Sequence, residues 1–153
     1  SEPMIRRTMS NLKLLSFHDW LVDLRRELHQ IPELGYQEEK TAAKICRVLD
    51  ELRVPYQTGV GKTGVVARIK SQKPGPVVAF RADMDALPVT ERNDLPFKST
   101  VTGEFNGQEV GVMHACGHGA HMAMLIGAAC FLIQLVGTTV KTYVAIATNE
   151  EVV

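Results

Sequence analysis

Apolar side chains recur at helical spacing in the first third of the chain and fall into short runs after it. Phe17, Trp20, Leu21, Leu24 and Leu28 stand three or four positions apart, the stripe that an amphipathic helix buries. Ser16 precedes them as an N-cap, and Pro32 ends the pattern. Ala42, Ile45, Cys46, Leu49 and Leu52 repeat the spacing and predict a second helix from about Gln37 to Arg53, closed by Pro55. Gly64 to Lys70 reads as a strand, and Lys73-Pro-Gly-Pro76 as a turn. Val77 to Phe80 is a short apolar strand that runs into Arg81-Ala-Asp-Met-Asp85. The stretch from Asn93 to Glu109 is polar and irregular, a long connection.

A buried helix is predicted over Ala120 to Leu135 and a further strand over Lys141 to Ala147, ending in Thr148-Asn-Glu-Glu151. Helices alternating with apolar strands indicate an α/β fold with a largely parallel sheet. In such sheets ligands gather beyond the carboxyl ends of strands. Asp83 and Asp85 follow one strand there, and Glu150 and Glu151 follow another.

The 153 residues suit one domain, and 45% of them are apolar, as in an ordinary globular protein. Lys plus Arg and Asp plus Glu both number 17, so no net field draws the chain to nucleic acid or to an acidic membrane. Met122 to Val136 is strongly apolar but falls short of the roughly 20 residues a membrane span needs. The basic start, Ser1-Glu-Pro-Met-Ile-Arg-Arg7, lacks the apolar core of a secretory signal. Cys46, Cys116 and Cys130 are too few and too odd in number for a disulfide framework, which points to a reducing, cytoplasmic setting.

The chemistry concentrates in His114-Ala-Cys-Gly-His-Gly-Ala-His121. Thiolate and imidazole are the side chains that hold zinc and similar divalent ions most readily. Cys116 and His118 are two apart, so on an extended or looped backbone they face the same way, and Gly117 and Gly119 favour such a loop. A Cys–His nucleophilic pair is the alternative, but nothing in the sequence supplies an evident oxyanion hole. Glu150 and Glu151 are adjacent and face opposite sides of an extended backbone, so one could hold a metal while the other acts as general base. Asp83 and Asp85 read evenly as ligands, as partners that orient a histidine, or as a turn in which Asp83 pairs with Arg81. His114 and His121 suit capping or hydrogen bonding, His18 and His29 suit surface or packing roles, and Cys46 and Cys130 are expected to be inert core thiols.

Leu28-His-Gln-Ile-Pro-Glu-Leu-Gly35, Phe80-Arg-Ala-Asp-Met-Asp-Ala-Leu-Pro88 and Gly111-Val-Met-His-Ala-Cys-Gly-His118 occur in that order. Together they resemble the amidohydrolase branch of the aminoacylase/carboxypeptidase metallopeptidase superfamily, which includes hippurate hydrolases, N-acyl-amino-acid amidohydrolases and plant auxin-conjugate hydrolases. The resemblance covers nearly all of the chain from about Phe17 onward. It implies a three-layer α/β/α catalytic domain that carries divalent metal ions, two per complete site, and is interrupted by a smaller lid domain. Residues 16–153 would be the N-terminal portion of that domain, with the lid absent, behind an arm of residues 1–15. The metals would be zinc or manganese, with nickel or cobalt as alternatives.

By the same resemblance Cys116, His118 and Glu151 would be metal ligands and Glu150 the general base. Asp83 would support the metal centre from behind. The implied reaction is hydrolysis of the amide of an N-acyl amino acid or similar conjugate, a small-molecule substrate, by a protein that could be a homodimer. The family usually has Asp after the Cys-Gly-His histidine, where this chain has Gly119, and Pro-Ala before the glutamates, where it has Thr148-Asn149. Family members are much longer, so a truncated chain with little or no turnover alone is expected. A shortened paralogue that serves as a binding or dimerising module is the non-enzymatic alternative.

Overall fold

The computed structural model describes residues 14–134 and 141–147. Helix α1, Leu14–His29, includes Ser16, so that serine lies inside the helix and not ahead of it. The helix ends before Pro32, with Arg26 and His29 in its last turn, where positive charge complements the helix dipole. Helix α2, Glu39–Glu51, is capped from a distance. The Glu33 carboxylate accepts the Lys40 N–H at 3.0 Å, the Thr41 N–H at 2.7 Å and the Thr41 hydroxyl at 2.8 Å. These bonds satisfy first-turn donors that have no partner within the helix. Helix α3, His118–Gln134, starts two residues earlier than the periodicity suggests, so His118 opens the helix instead of sitting in a loop.

Strands β1 (Tyr56–Val60), β2 (Gly64–Ile69), β3 (Val77–Asp83) and β6 (Lys141–Ala147) form one sheet in the order β1-β2-β6-β3. The α/β class holds, but the pairing corrects the expectation of a largely parallel sheet. β3 and β6 are parallel, whereas β1 with β2 and β2 with β6 are antiparallel. The cause is the tight turn at Gly61–Thr63, where Gly61 and Lys62 adopt φ of 57° and 84° and fold β2 back on β1, a strand the sequence pattern did not reveal.

The polar stretch before Gly111 is likewise not wholly irregular: β4 (Thr102–Phe105) and β5 (Gln108–Gly111) form a hairpin. Its turn residues Asn106 and Gly107 both have positive φ, 52° and 75°, as a type I′ turn requires.

The main core lies on one face of the four-stranded sheet. Val65, Ile146 and Ala82 align across β2, β6 and β3, and Val65, Ala67 and Ala82 are buried with Leu24, Leu28, Ile45, Leu49, Met122 and Ile126 from the three helices. Each such large side chain contributes about 1.5–3 kcal/mol when it leaves water. α3 is apolar around most of its circumference because it packs on both α1 and the sheet. At Gly127 it approaches α1 so closely that a Cβ would lie 2.9 Å from Leu21 Cδ2.

Candidate metal centre

The parallel pair sets the site. Asp83 ends β3 in register with Ala147 at the end of β6, so both strands terminate on the same edge of the sheet. Met84, fully buried, anchors the chain just past that edge. Leu87 and Met113 then exchange backbone hydrogen bonds at 3.0 and 3.1 Å. That bridge brings Asp83–Leu87 alongside Met113–His118 across the intervening residues 88–112. Gly117, at φ 139°, turns the backbone into α3, a conformation that favours glycine.

His118 is the best-determined member of the site. Its Nδ1 lies 3.0 Å from the Asp85 carbonyl oxygen and 3.1 Å from Asp85 Oδ1. Both neighbours only accept hydrogen bonds, so Nδ1 carries the proton, and in the neutral ring the lone pair belongs to Nε2. Nε2 faces Asp83 Oδ2 at 3.8 Å, too far for a hydrogen bond. Asp83 Oδ1 in turn accepts from Arg81 at 2.8 Å, which realises the pairing considered for these residues from sequence.

An imidazole lone pair and a carboxylate oxygen 3.8 Å apart sit within the roughly 4 Å that two ligands of one divalent ion span. A histidine whose other nitrogen is held by a carboxylate is also the usual form of a metal-binding imidazole. By their chemistry these donor types suit such an ion. Cys116, on the same loop, is an exposed free thiol. Among the described residues no group of three or more His, Cys, Asp or Glu is gathered closely enough to hold a metal. Glu150 and Glu151 lie outside the described residues.

Behind this edge lie polar residues whose importance the sequence did not signal. His29, expected at the surface or in simple packing, is 3% exposed, and its Nε2 lies 2.9 and 3.0 Å from the two Glu91 oxygens. Burial would push the Glu91 carboxyl up, but hydrogen bonds from the Ser99 amide, His29 and Asn93 outweigh it and hold it at about 2. Burial, with His29, His118 and Arg25 nearby, lowers the His114 imidazole to about 4. Glu38 is fully buried and accepts from Thr63 at 2.7 Å; burial, seconded by the Asp85 charge, raises its carboxyl above the usual range. His29 and His114 fall within the segments quoted above, but no local pattern marks the pairing, because His29 and Glu91 are 62 residues apart and meet only through the fold. Cys130 is a buried core thiol, pushed up to about 12 by that burial.

Residues 79–153 match the sequence profile of Peptidase family M20/M25/M40. Over 117 residues the chain is 49% identical to thermostable carboxypeptidase 1 of Saccharolobus solfataricus, covering 76% of this chain and 28% of that protein. It is also 49% identical, over 111 residues, to the N-acyl-L-amino acid amidohydrolase of Geobacillus stearothermophilus, covering 72% of this chain and 28% of that one. By sequence, residues 79–153 are thus similar to that family. The fold agrees: a crystal structure of a Bacillus subtilis protein, described as a dinuclear metal binding peptidase of that family, superposes with a TM-score of 0.79. That match has 42% identity and covers 89% of this chain and 36% of the other. The chain described here thus resembles an amidohydrolase and a carboxypeptidase, and it spans 28% of each of these two curated relatives.

Proposed function

We propose that the protein carrying these residues hydrolyses the amide bond of N-acyl amino acids or similar small conjugates, with divalent metal ions held in part by Cys116 and His118. The observation that carries this reading is the His118 ring, whose Nδ1 is fixed on Asp85 while Nε2 faces Asp83 at a strand end. The name of the N-acyl-L-amino acid amidohydrolase relative supports the substrate class. That of the dinuclear Bacillus subtilis peptidase supports the two-metal expectation, with zinc or manganese as first choices. All three cysteines are free, which suits a reducing, cytoplasmic setting.

When bound, the metal would polarise the amide carbonyl and acidify a water molecule. The chain's own residues divide the remaining work. Asp85 locks the ring tautomer of His118, and Arg81 holds Asp83 so that its free oxygen faces that ring. Glu150 would take the proton from the attacking water and return it to the leaving amine, while Glu151 would join Cys116 and His118 as a ligand.

Metal content after dialysis and hydrolysis of N-acetyl amino acids test the two halves of this reading. Cys116→Ala and His118→Ala should each lose bound zinc or manganese. Glu150→Gln should keep the metal and lose turnover by about 10²–10⁴-fold. Undiminished metal in both ligand variants overturns the metal assignment, and undiminished hydrolysis in Glu150→Gln overturns the base.

A further inference from the structure

Val112 and Met113 lead into the Cys116–His118 segment, and every backbone hydrogen-bonding group of the two is engaged by another part of the chain. The Val112 N–H donates to the Val101 carbonyl at 2.9 Å, and the Ser99 hydroxyl donates to the Val112 carbonyl at 2.6 Å. The Met113 N–H and carbonyl exchange with Leu87 at 3.1 and 3.0 Å. Of these four bonds only the one from Ser99 is made by a side chain, so it is the one that a substitution can remove.

Ser99 is itself held in place. It is 7% exposed, and its Oγ also accepts the Val101 N–H at 3.2 Å, so the hydroxyl serves as both donor and acceptor. Its own N–H donates to Glu91 Oε2 at 2.6 Å. The Glu91 side chain, 2% exposed, also accepts from Asn93 Nδ2 at 2.7 Å and from His29 Nε2 at 2.9 Å. Bonds to an ionised acceptor are the stronger kind, and at this depth water does not compete for them. His29 is the last residue of α1, and Leu28 beside it is fully buried in the main core. A hydrogen-bonded path therefore runs from that core through His29, Glu91 and Ser99 to Val112.

We propose that Glu91 and Ser99 are positioning residues for the metal centre. They act through Val112 to hold the Cys116–His118 segment against Asp83–Leu87, where the proposed ligands meet. This rests on the reading of Cys116 and His118 as ligands. Without the Ser99 hydroxyl the Val112 carbonyl is left buried and unpaired, and the chain must shift to satisfy it. The Leu87–Met113 bridge is then the main remaining tie between the two segments. His118 keeps its separate hold on Asp85, so the loss falls chiefly on Cys116, three residues beyond Met113.

The test is zinc affinity of the 153-residue chain, read by competition with a chromophoric chelator well below the unfolding temperature. Ser99→Ala should weaken zinc binding about tenfold, the lower end of what partners that support a ligand contribute. Ser99→Thr keeps a hydroxyl and should bind as the parent does. Glu91→Gln should also weaken binding, and the double variant Glu91→Gln/Ser99→Ala should be no weaker than the worse single one, because both residues lie on one path. Ile45→Val, a change in the main core, should cost stability and leave zinc affinity untouched. Should Glu91→Gln fail to fold, the two Ser99 variants still decide. Parental affinity in Ser99→Ala, an equal loss in Ser99→Thr, or an equal loss in Ile45→Val overturns the positioning role. Cys116→Ala separates that failure from failure of the metal reading. Zinc lost there but kept in Ser99→Ala overturns the positioning role alone, whereas zinc kept in Cys116→Ala overturns both.

Discussion

At the scale of single residues, the site is organised by acceptors that fix one imidazole. Asp85 approaches His118 Nδ1 with both its backbone and its side-chain oxygen, so the ring's orientation does not depend on the metal. Removing the side chain leaves only the carbonyl contact. Asp85→Ala is therefore expected to weaken zinc binding by about 10–100-fold, read by competition with a chromophoric chelator; unchanged affinity would show that the carbonyl alone orients the ring.

Glu91 makes a second prediction at this scale. Its folded carboxyl is lowered from 4.5 to about 2, so the unfolded chain binds the proton more readily. The stabilisation it gives is present above the unfolded value and drains away as pH falls from about 4.5 towards 2. Glu91→Gln should flatten that part of the stability–pH curve in urea unfolding. An unchanged acid limb would mean that other carboxylates set it.

At the scale of elements, the site depends on irregular connections held by close backbone contacts. β5 ends at Gly111, where a Cβ would lie 2.4 Å from Thr90 Oγ1 and 2.6 Å from Thr90 Cα. The second of these is backbone and cannot swing aside. Gly111→Ala should thus cost about 1–3 kcal/mol, measured as a lower urea midpoint, and should disturb the segment that leads into His114. A neutral effect would show that the Thr90 loop moves freely. The hairpin beside it was within reach of sequence reasoning, since Asn106-Gly107 between β-prone residues is a strong two-residue turn signal. Polarity masked it, because both strands are short and largely exposed. The helices, by contrast, were legible to within a few residues from apolar spacing alone, as their buried stripes face one continuous core.

At the scale of the molecule, β3 has no strand beyond it among the described residues. It presents Val77, Val78 and Phe80 at 57%, 36% and 45% exposure. An open apolar edge of this kind templates association with other chains. Val78→Lys should reduce concentration-dependent light scattering of the isolated chain, and equal scattering would place self-association on another surface.

The local pattern by itself determined the helices, strands β2, β3 and β6 and the α/β class, because periodicity is written in neighbouring residues. The tertiary structure alone decided which partners those residues meet. Asp85 reaches His118 across 33 residues and Glu91 reaches His29 across 62, while the antiparallel placement of β2 against β6 was set by chain reversal. Each is a contact between distant segments, and a one-dimensional pattern records which residues want burial or a partner without recording which partner the fold brings to them.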